Sequence, residues 1–254
     1  MVKERILVTV RTYPAISAKY REVVCTGGIT DAGEWRRLVP VPLRLLEKDK
    51  QYRTFDVIEV AVGRGKDGRP ETRTPQLPTL RVIRPLKDWH ARCEWVDPTI
   101  FSSLKAMADA EKTLAPVAVD DVLEFVAKPD TPEWSPAQRE KLRQQHLFGD
   151  NPPPEKIPFK FRFRWRDMDG AEHNSWFMAW EVGQTWREYR KRYDDPITVM
   201  RDKWMNDLCG PQRNGKPGAP TVGLLCLWRV WPAQGGCREW NALVWGLRSA
   251  EPRM

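Results

Sequence analysis

Residues 158–170 read PFKFRFRWRDMDG, and within them Lys160, Arg162, Arg164 and Arg166 recur at every second position. At the two-residue period of a strand these four cations share one face, while Phe159, Phe161, Phe163 and Trp165 share the other. Like charges about 6.6 Å apart along a strand repel one another unless water or an anion compensates them. The face therefore has the charge pattern of a phosphate-contacting ridge, and Arg187, on the helical segment beyond the hairpin, adds a fifth cation. The competing reading is a solvated sheet face whose cations block edge pairing. The aromatic side, regular as it is, reads as a core face.

The same stretch runs into a cluster of acids. Asp167, Asp169, Glu172 and His173 fall within seven residues, and Glu181 comes soon after. Carboxylates beside a histidine are the donor set of a divalent metal in a phosphodiester-cleaving site. This makes Asp167, Asp169, His173 and Glu181 the catalytic candidates of a nuclease reading. A hairpin turn that needs Asp and Gly explains most of the cluster without any metal. No Walker loop, nucleophile elbow, H-E-x-x-H pair or glycine-rich dinucleotide turn occurs in the chain. Catalytic residues and cofactors are accordingly expected to be absent, with a divalent metal entering only under the nuclease alternative.

Two further groups bear on binding. Trp35, Arg36 and Arg37 place an aromatic ring beside two guanidinium groups, the combination that single-strand binders use as a stacking platform; packing of Trp35 over its own hairpin is the plainer reading. Nine of the 13 tryptophans fall after residue 164. They suit an aromatic pocket for a base or a methylated cation, or simply a small core.

The 254 residues carry 42 Lys and Arg against 34 Asp and Glu, a net charge of +8. An acidic partner such as a phosphate backbone fits that balance. Five widely spaced cysteines without a C-x-x-C pair point to reduced, mostly buried thiols rather than a zinc knuckle. The apolar run near the N-terminus is too short for a signal-peptide core, and no stretch approaches ~18 apolar residues. The expected setting is cytoplasmic, with no membrane.

The elements that must position these groups are mostly short strands. ILVTV at 6–10, a hairpin over 21–42 turning at TDAG, FDVIEVAV at 55–62 and LRVIRPL at 80–86 predict a small barrel of OB or PUA-like character. A helix is expected from the Asp97-Pro98 cap through Leu114, then a strand over DDVLEFVA, then a polar helix capped by Ser135. The proline run in NPPPEKIP reads as a linker. DMDG reverses the cationic strand, with Gly170 at positive φ. Helices come next, carrying Val182, Trp186, Tyr189 and Tyr193 on one stripe and Ile197, Met200, Trp204 and Leu208 on another. A closing hairpin around PAQGG is expected near the end. The fold class is α+β: a barrel-like domain over 1–95, a helical connection with one strand over 96–150, and a basic, Trp-rich sheet-plus-helix domain over 157–254.

The pattern ILVTVRTYP, EVVCTGGITDAGEWRRLVPVPLRLL, FDVIEV resembles the opening of a family of uncharacterised bacterial proteins. These start with a Lys-Thr-Tyr-Pro-like strand end and a Cys-Thr-Ala-Gly hairpin ending Arg-Leu-Tyr-Pro. The resemblance covers residues 6 to about 60, and more loosely 159–181. It implies a shared fold and no known activity. Relatives carry a cysteine pair and a Gly-His step before a Trp-Glu helix; this chain keeps His173, Trp180 and Glu181 but has no cysteine there, so the resemblance brings no zinc site with it. The sequence thus points first to sequence-tolerant nucleic-acid binding, in an accessory or defence-associated role. A metal-dependent nuclease and a scaffold that meets a protein partner through its Trp-rich part are the alternatives.

Overall fold

In a computed structural model of the chain, the described residues are 2–17, 21–146, 152–209, 223–229 and 240–245. Two compact units divide the chain: Met1–Thr99 with Thr131–Pro158, and Ile100–Asp130 with Phe159–Met254.

The first unit is built on strands β1 (Val2–Arg11), β2 (Ala15–Ser17), β3 (Arg21–Thr30), β4 (Trp35–Val41), β5 (Asp56–Arg64), β6 (Thr72–Pro75) and β7 (Arg81–Pro85), then helix α1 (Trp89–Val96). Five of them close a ring in the order β1-β3-β4-β6-β5, because β5 also pairs with β1. β4 and β6 run parallel, and the other ring pairs are antiparallel. Counted around the ring, this is the 1-2-3-5-4-1 order of an OB-like barrel. β7 extends β5, and β2 extends β3. Alternation fills the interior with Ile6, Val8, Leu38, Ile58 and Val60, all fully buried. Gly28 lets β1 and β3 approach: a Cβ there would lie 2.5 Å from the Leu7 carbonyl oxygen.

The second unit contains helix α2 (Leu104–Asp109), the long strand β8 (Leu114–Pro129), strands β9 (Phe159–Asp167) and β10 (Glu172–Phe177), helices α4 (Trp180–Tyr189) and α5 (Pro196–Cys209), and strands β11 (Gly223–Arg229) and β12 (Trp240–Trp245). Helix α3 (Pro136–His146), capped by Ser135, belongs to the first unit. The strands close a second five-membered ring, β8-β9-β10-β12-β11, again with the third and fifth strands parallel. The expected sheet with helices is thus itself a barrel of the same order as the first. Its aromatic side holds Phe125, Phe161, Phe163, Trp165 and Phe177, each at most 3% exposed. α4 and α5 pack on that side through Trp186 against Phe159 and Trp204 against Phe177.

Three expectations change in detail. The helix expected from Asp97 through Leu114 shrinks to α2, because Ser103 caps it by accepting from the Ala106 amide and Glu111 ends it at φ 56°; Leu114 opens β8 instead. Division into units falls differently from 1–95, 96–150 and 157–254: β8 is the first strand of the second ring, while 131–158 returns to the first unit. The proline run is tied there rather than free. The Pro152 carbonyl accepts from Arg44 (2.6 Å), that of Pro154 from the Trp134 indole (2.9 Å), and that of Glu155 from the Tyr13 hydroxyl (2.9 Å). The closing hairpin is present as the antiparallel β11–β12 pair, while the PAQGG turn and the end of α3 near Gly149 lie outside the described residues.

Candidate nucleic-acid interface

The alternation read from 159–166 holds. Phe161, Phe163 and Trp165 are buried, and the Trp165 indole donates to Ser175 Oγ at 3.0 Å, which satisfies its N–H inside the core. Lys160 and Arg164 are exposed, and Arg162 and Arg166 half-buried, on the outward face. That face is not bare. Register sets Arg164 opposite Glu124 of β8, and Arg166 opposite Glu172 of β10. Arg164 lies 3.4 Å from Glu124 and 3.9 Å from Glu172, Arg166 lies 3.3 Å from Glu172 and 3.7 Å from Asp120, and Lys160 lies 3.8 Å from Asp130. Carboxylates of the flanking strands compensate the like charges that the sequence left without an answer.

Arg162 meets a ring. Its guanidinium sits 3.6 Å from the centre of the Trp176 indole, directly across the β9–β10 pair. Trp176 was not among the residues the sequence singled out, yet the register was available. The DMDG turn, with Gly170 at φ +81°, pairs Arg166 with Glu172 and hence Arg162 with Trp176. Asn174 and Trp176 share the outward side of β10 with Glu172, while Ser175 and Phe177 point inward. Arg187 does not join this row: it is half-buried on α4, whose Trp186 meets β9 from the aromatic side.

Burial removes the Trp35 platform. Trp35 is 7% exposed and donates its indole N–H to Thr99 Oγ1 at 3.0 Å. Arg36 turns to the barrel mouth, where Glu4 takes its guanidinium in a two-pronged pair (2.9 and 3.0 Å) and Glu34 binds it as well. Arg37 is fully buried. It donates to Thr72 Oγ1 at 3.2 Å, beneath the segment that carries Asp67, Arg69 and Glu71. Burial, reinforced by the Arg69 charge, pushes its guanidinium down to about 10. The outward face of β3 and β4 is thus covered by the barrel's own chain, a tertiary effect that the hairpin sequence alone could not disclose.

The acidic cluster resolves into a turn. Asp167 is 1% exposed; its Oδ1 accepts from the amides of Asp169 (3.1 Å) and Ala171 (3.0 Å), and its Oδ2 from the amide of Leu104 (3.3 Å). His173 Nε2 lies 2.7 Å from the same Oδ2, its ring packed against Trp165 at 4.5 Å. Burial raises the Asp167 carboxyl, but the His173 contact and the amide bonds outweigh it, leaving the group below the usual carboxylate range. Among the described residues no three His, Cys, Asp or Glu side chains are grouped to hold a metal ion. Asp167 and His173 come together, but Asp169 and Glu181 do not join them in a metal-ligating set.

Both barrels have the architecture of OB-like modules, and no helix among the described residues is long and apolar enough to cross a membrane. Residues 2–98 match the family model of a domain of unknown function (DUF8758), and residues 99–216 match a second domain of unknown function (DUF8757). The two matches meet where the first unit passes into the second, and they are consistent with an uncharacterised family. No curated protein matches the sequence. Among solved structures, the chain is similar to one described as a replication protein A heterotrimer bound to ssDNA. Identity is 8%, the TM-score is 0.32, and the match covers 98% of this chain and 65% of that one. The chain thus spans about 65% of that neighbour's length, and a likeness this slight carries no argument about function.

Proposed function

We propose that the protein binds single-stranded nucleic acid with little sequence preference, and that the β9–β10 face of the second barrel receives the bases. The observation that carries this reading is the Arg162–Trp176 stack, at 3.6 Å, on the outward side of a strand pair. In OB barrels the second and third strands carry the oligonucleotide, and β9 and β10 hold those places in their ring. A base stacks on an indole or on a guanidinium plane whatever its identity. Asn174 beside the stack adds an amide that can both donate and accept.

Magnitudes favour stacking over phosphate contact on this face. An exposed ion pair contributes about 0–1 kcal/mol, so exchanging a carboxylate for a phosphate on Lys160, Arg164 or Arg166 gains little, and the displaced carboxylate stays close enough to repel the chain. One stacked base contributes about 1–3 kcal/mol. Trp176→Ala should therefore weaken binding to single-stranded homopolymers of every base roughly 5- to 150-fold. Replacing Lys160, Arg164 and Arg166 together with Gln should change the salt slope by less than the ~0.7 per residue expected of true phosphate contacts on single strands. Fluorescence anisotropy with labelled oligonucleotides at several salt concentrations measures both. Unchanged affinity in a folded Trp176→Ala protein would refute the reading.

A further inference from the structure

With the cations of β9 compensated, the charge that neutralises a phosphate backbone has to come from elsewhere, and the first barrel offers a face that differs in kind. On the outer side of β1, β5 and β7, register aligns Arg5, Glu59 and Arg81 in one row across three strands. At about 4.8 Å between strands, the two arginines stand roughly 10 Å apart. Lys3 lies on the same side of β1, and Arg84 comes further along β7, paired with Val57 after the bulge residue Ile83. Lys3, Arg5, Arg81 and Arg84 are all exposed. Lys3 reaches Glu59 at 2.7 Å. Arg5, Arg81 and Arg84 form no ion pair with any described residue. Glu59 is the carboxylate within this row, whereas on the β9 face Lys160, Arg164 and Arg166 each lie within 4 Å of at least one carboxylate.

The neighbourhood shows the same contrast. In the cleft at the adjoining barrel mouth Arg36 is held by Glu4 and Glu34, Arg69 by Asp67, and Arg73 by the carbonyls of Pro70 and Thr72. These arginines are bound up in the fold. Those on the β1–β5–β7 face are not. Glu59 registers the resulting field: the Lys3 hydrogen bond and the charges of Lys3, Arg5 and Arg81 hold its carboxyl below the usual range.

We infer that the outer face of β1, β5 and β7 is a phosphate-contacting surface for the backbone of a single-stranded nucleic acid, with Arg5, Arg81 and Arg84 as its contacts; the inference rests on the nucleic-acid reading above. At roughly 10 Å, beyond the ~8 Å Debye length of physiological salt, the arginines are largely screened from one another and act as separate phosphate contacts. A flexible polyanion neutralises such a row, releasing its counterions as it binds. On β1, β5 and β7 the exposed large apolar side chains are Val2 (65%) and Ile83 (45%), fewer than the apolar centre of a protein interface presents.

The test compares three proteins on one single-stranded oligonucleotide, by anisotropy across a salt series: wild type, the triple variant Arg5→Gln, Arg81→Gln, Arg84→Gln, and the triple Lys variant at the same positions. Each lost contact should reduce the slope of log K against log salt by ~0.7, so the Gln variant should be shallower by ~2 and the Lys variant close to wild type. All three substitutions are at exposed positions, where the lost attraction to Glu59 and the relieved repulsion between arginines are both small, so the circular dichroism melt should stay close to wild type. Wild-type binding with an unchanged slope in the Gln variant would overturn this inference and leave the stacking reading standing. Failure of wild type to bind any single strand would overturn both. Loss of binding to anionic lipid vesicles in the Gln variant, with the oligonucleotide slope unchanged, would assign the face to a membrane and overturn the inference as well.

Discussion

Asp167→Ala should destabilise the second barrel more than any substitution on its outer face, and four contacts set the magnitude. The carboxylate is buried and accepts from three amides at 3.0–3.3 Å, while His173 Nε2 completes the set at 2.7 Å. A hydrogen bond to a charged group contributes about 1.5–3 kcal/mol. The four do not add, because water can refill the turn once the side chain is gone, so the loss should be about 3–5 kcal/mol, the range for breaking a buried pair. His173→Ala leaves the three amides in place and should cost about 1–2 kcal/mol. The carboxyl is held below the unfolded value of about 3.9, so its contribution is complete above that pH and lost as pH falls through the folded value. Urea unfolding monitored by tryptophan fluorescence at pH 7 and in steps down to pH 3 measures both effects. In Asp167→Asn the part of the acid dependence due to this group should vanish. A loss below about 1 kcal/mol for Asp167→Ala with an unchanged m value would refute the argument. So would nucleolytic activity that disappears in that variant without loss of stability, which would put Asp167 in a reaction instead of a turn.

The remaining predictions contrast inside with outside and tied with free. Phe163 is fully buried, its ring centred 5.0 Å from Phe125 and 4.9 Å from Phe177; Phe163→Ala should cost about 3–5 kcal/mol in the same urea assay, whereas Arg164→Ala should change stability by at most about 1 kcal/mol. In limited proteolysis mapped by mass spectrometry, residues 152–156 should not be the first site cut, because Arg44, Trp134 and Tyr13 hold their carbonyls. An early cut there would restore the segment to the role of an interdomain linker.

Local patterns were legible wherever the period of the chain decided the outcome. The strand at 159–167 was read with both its faces, the turn with its positive-φ glycine, and the Ser135 helix start with its cap. What escaped depended on partners distant in the chain. Glu124 and Asp120 compensate β9 only because β8, some forty residues earlier, lies alongside it. Arg37 is buried because residues 67–72 fold over it, and nothing in EWRRLVPV announces that. Arg5 and Arg81 stand in one row only because β5 pairs with β1 on one side and β7 on the other. In each case charge was visible in the sequence, but whether it would be answered was a property of the sheet.

The two rings sharpen this point, because they share a strand order without sharing a sequence pattern. DVIEVAV and DDVLEFVA look alike, yet the first is the fourth strand of its ring and the second is the first strand of the other, so their likeness reflects what any buried strand requires. Equal topology also does not give equal surfaces. In the first ring the second and third strands, β3 and β4, are covered, Trp35 by Thr99 and Arg37 by the Thr72 segment. Their counterparts in the second ring, β9 and β10, leave Arg162 and Trp176 partly open. The Arg162–Trp176 stack thus lies on the second barrel, and the row of Arg5, Arg81 and Arg84 on the first, on strands away from the covered pair. If each surface contacts nucleic acid as proposed, Trp176→Ala should lower affinity with little change in salt slope, and the Arg5, Arg81, Arg84 variant should flatten the slope. Two substitutions that changed the same parameter in the same way would mean that the barrels do not divide the work along these lines.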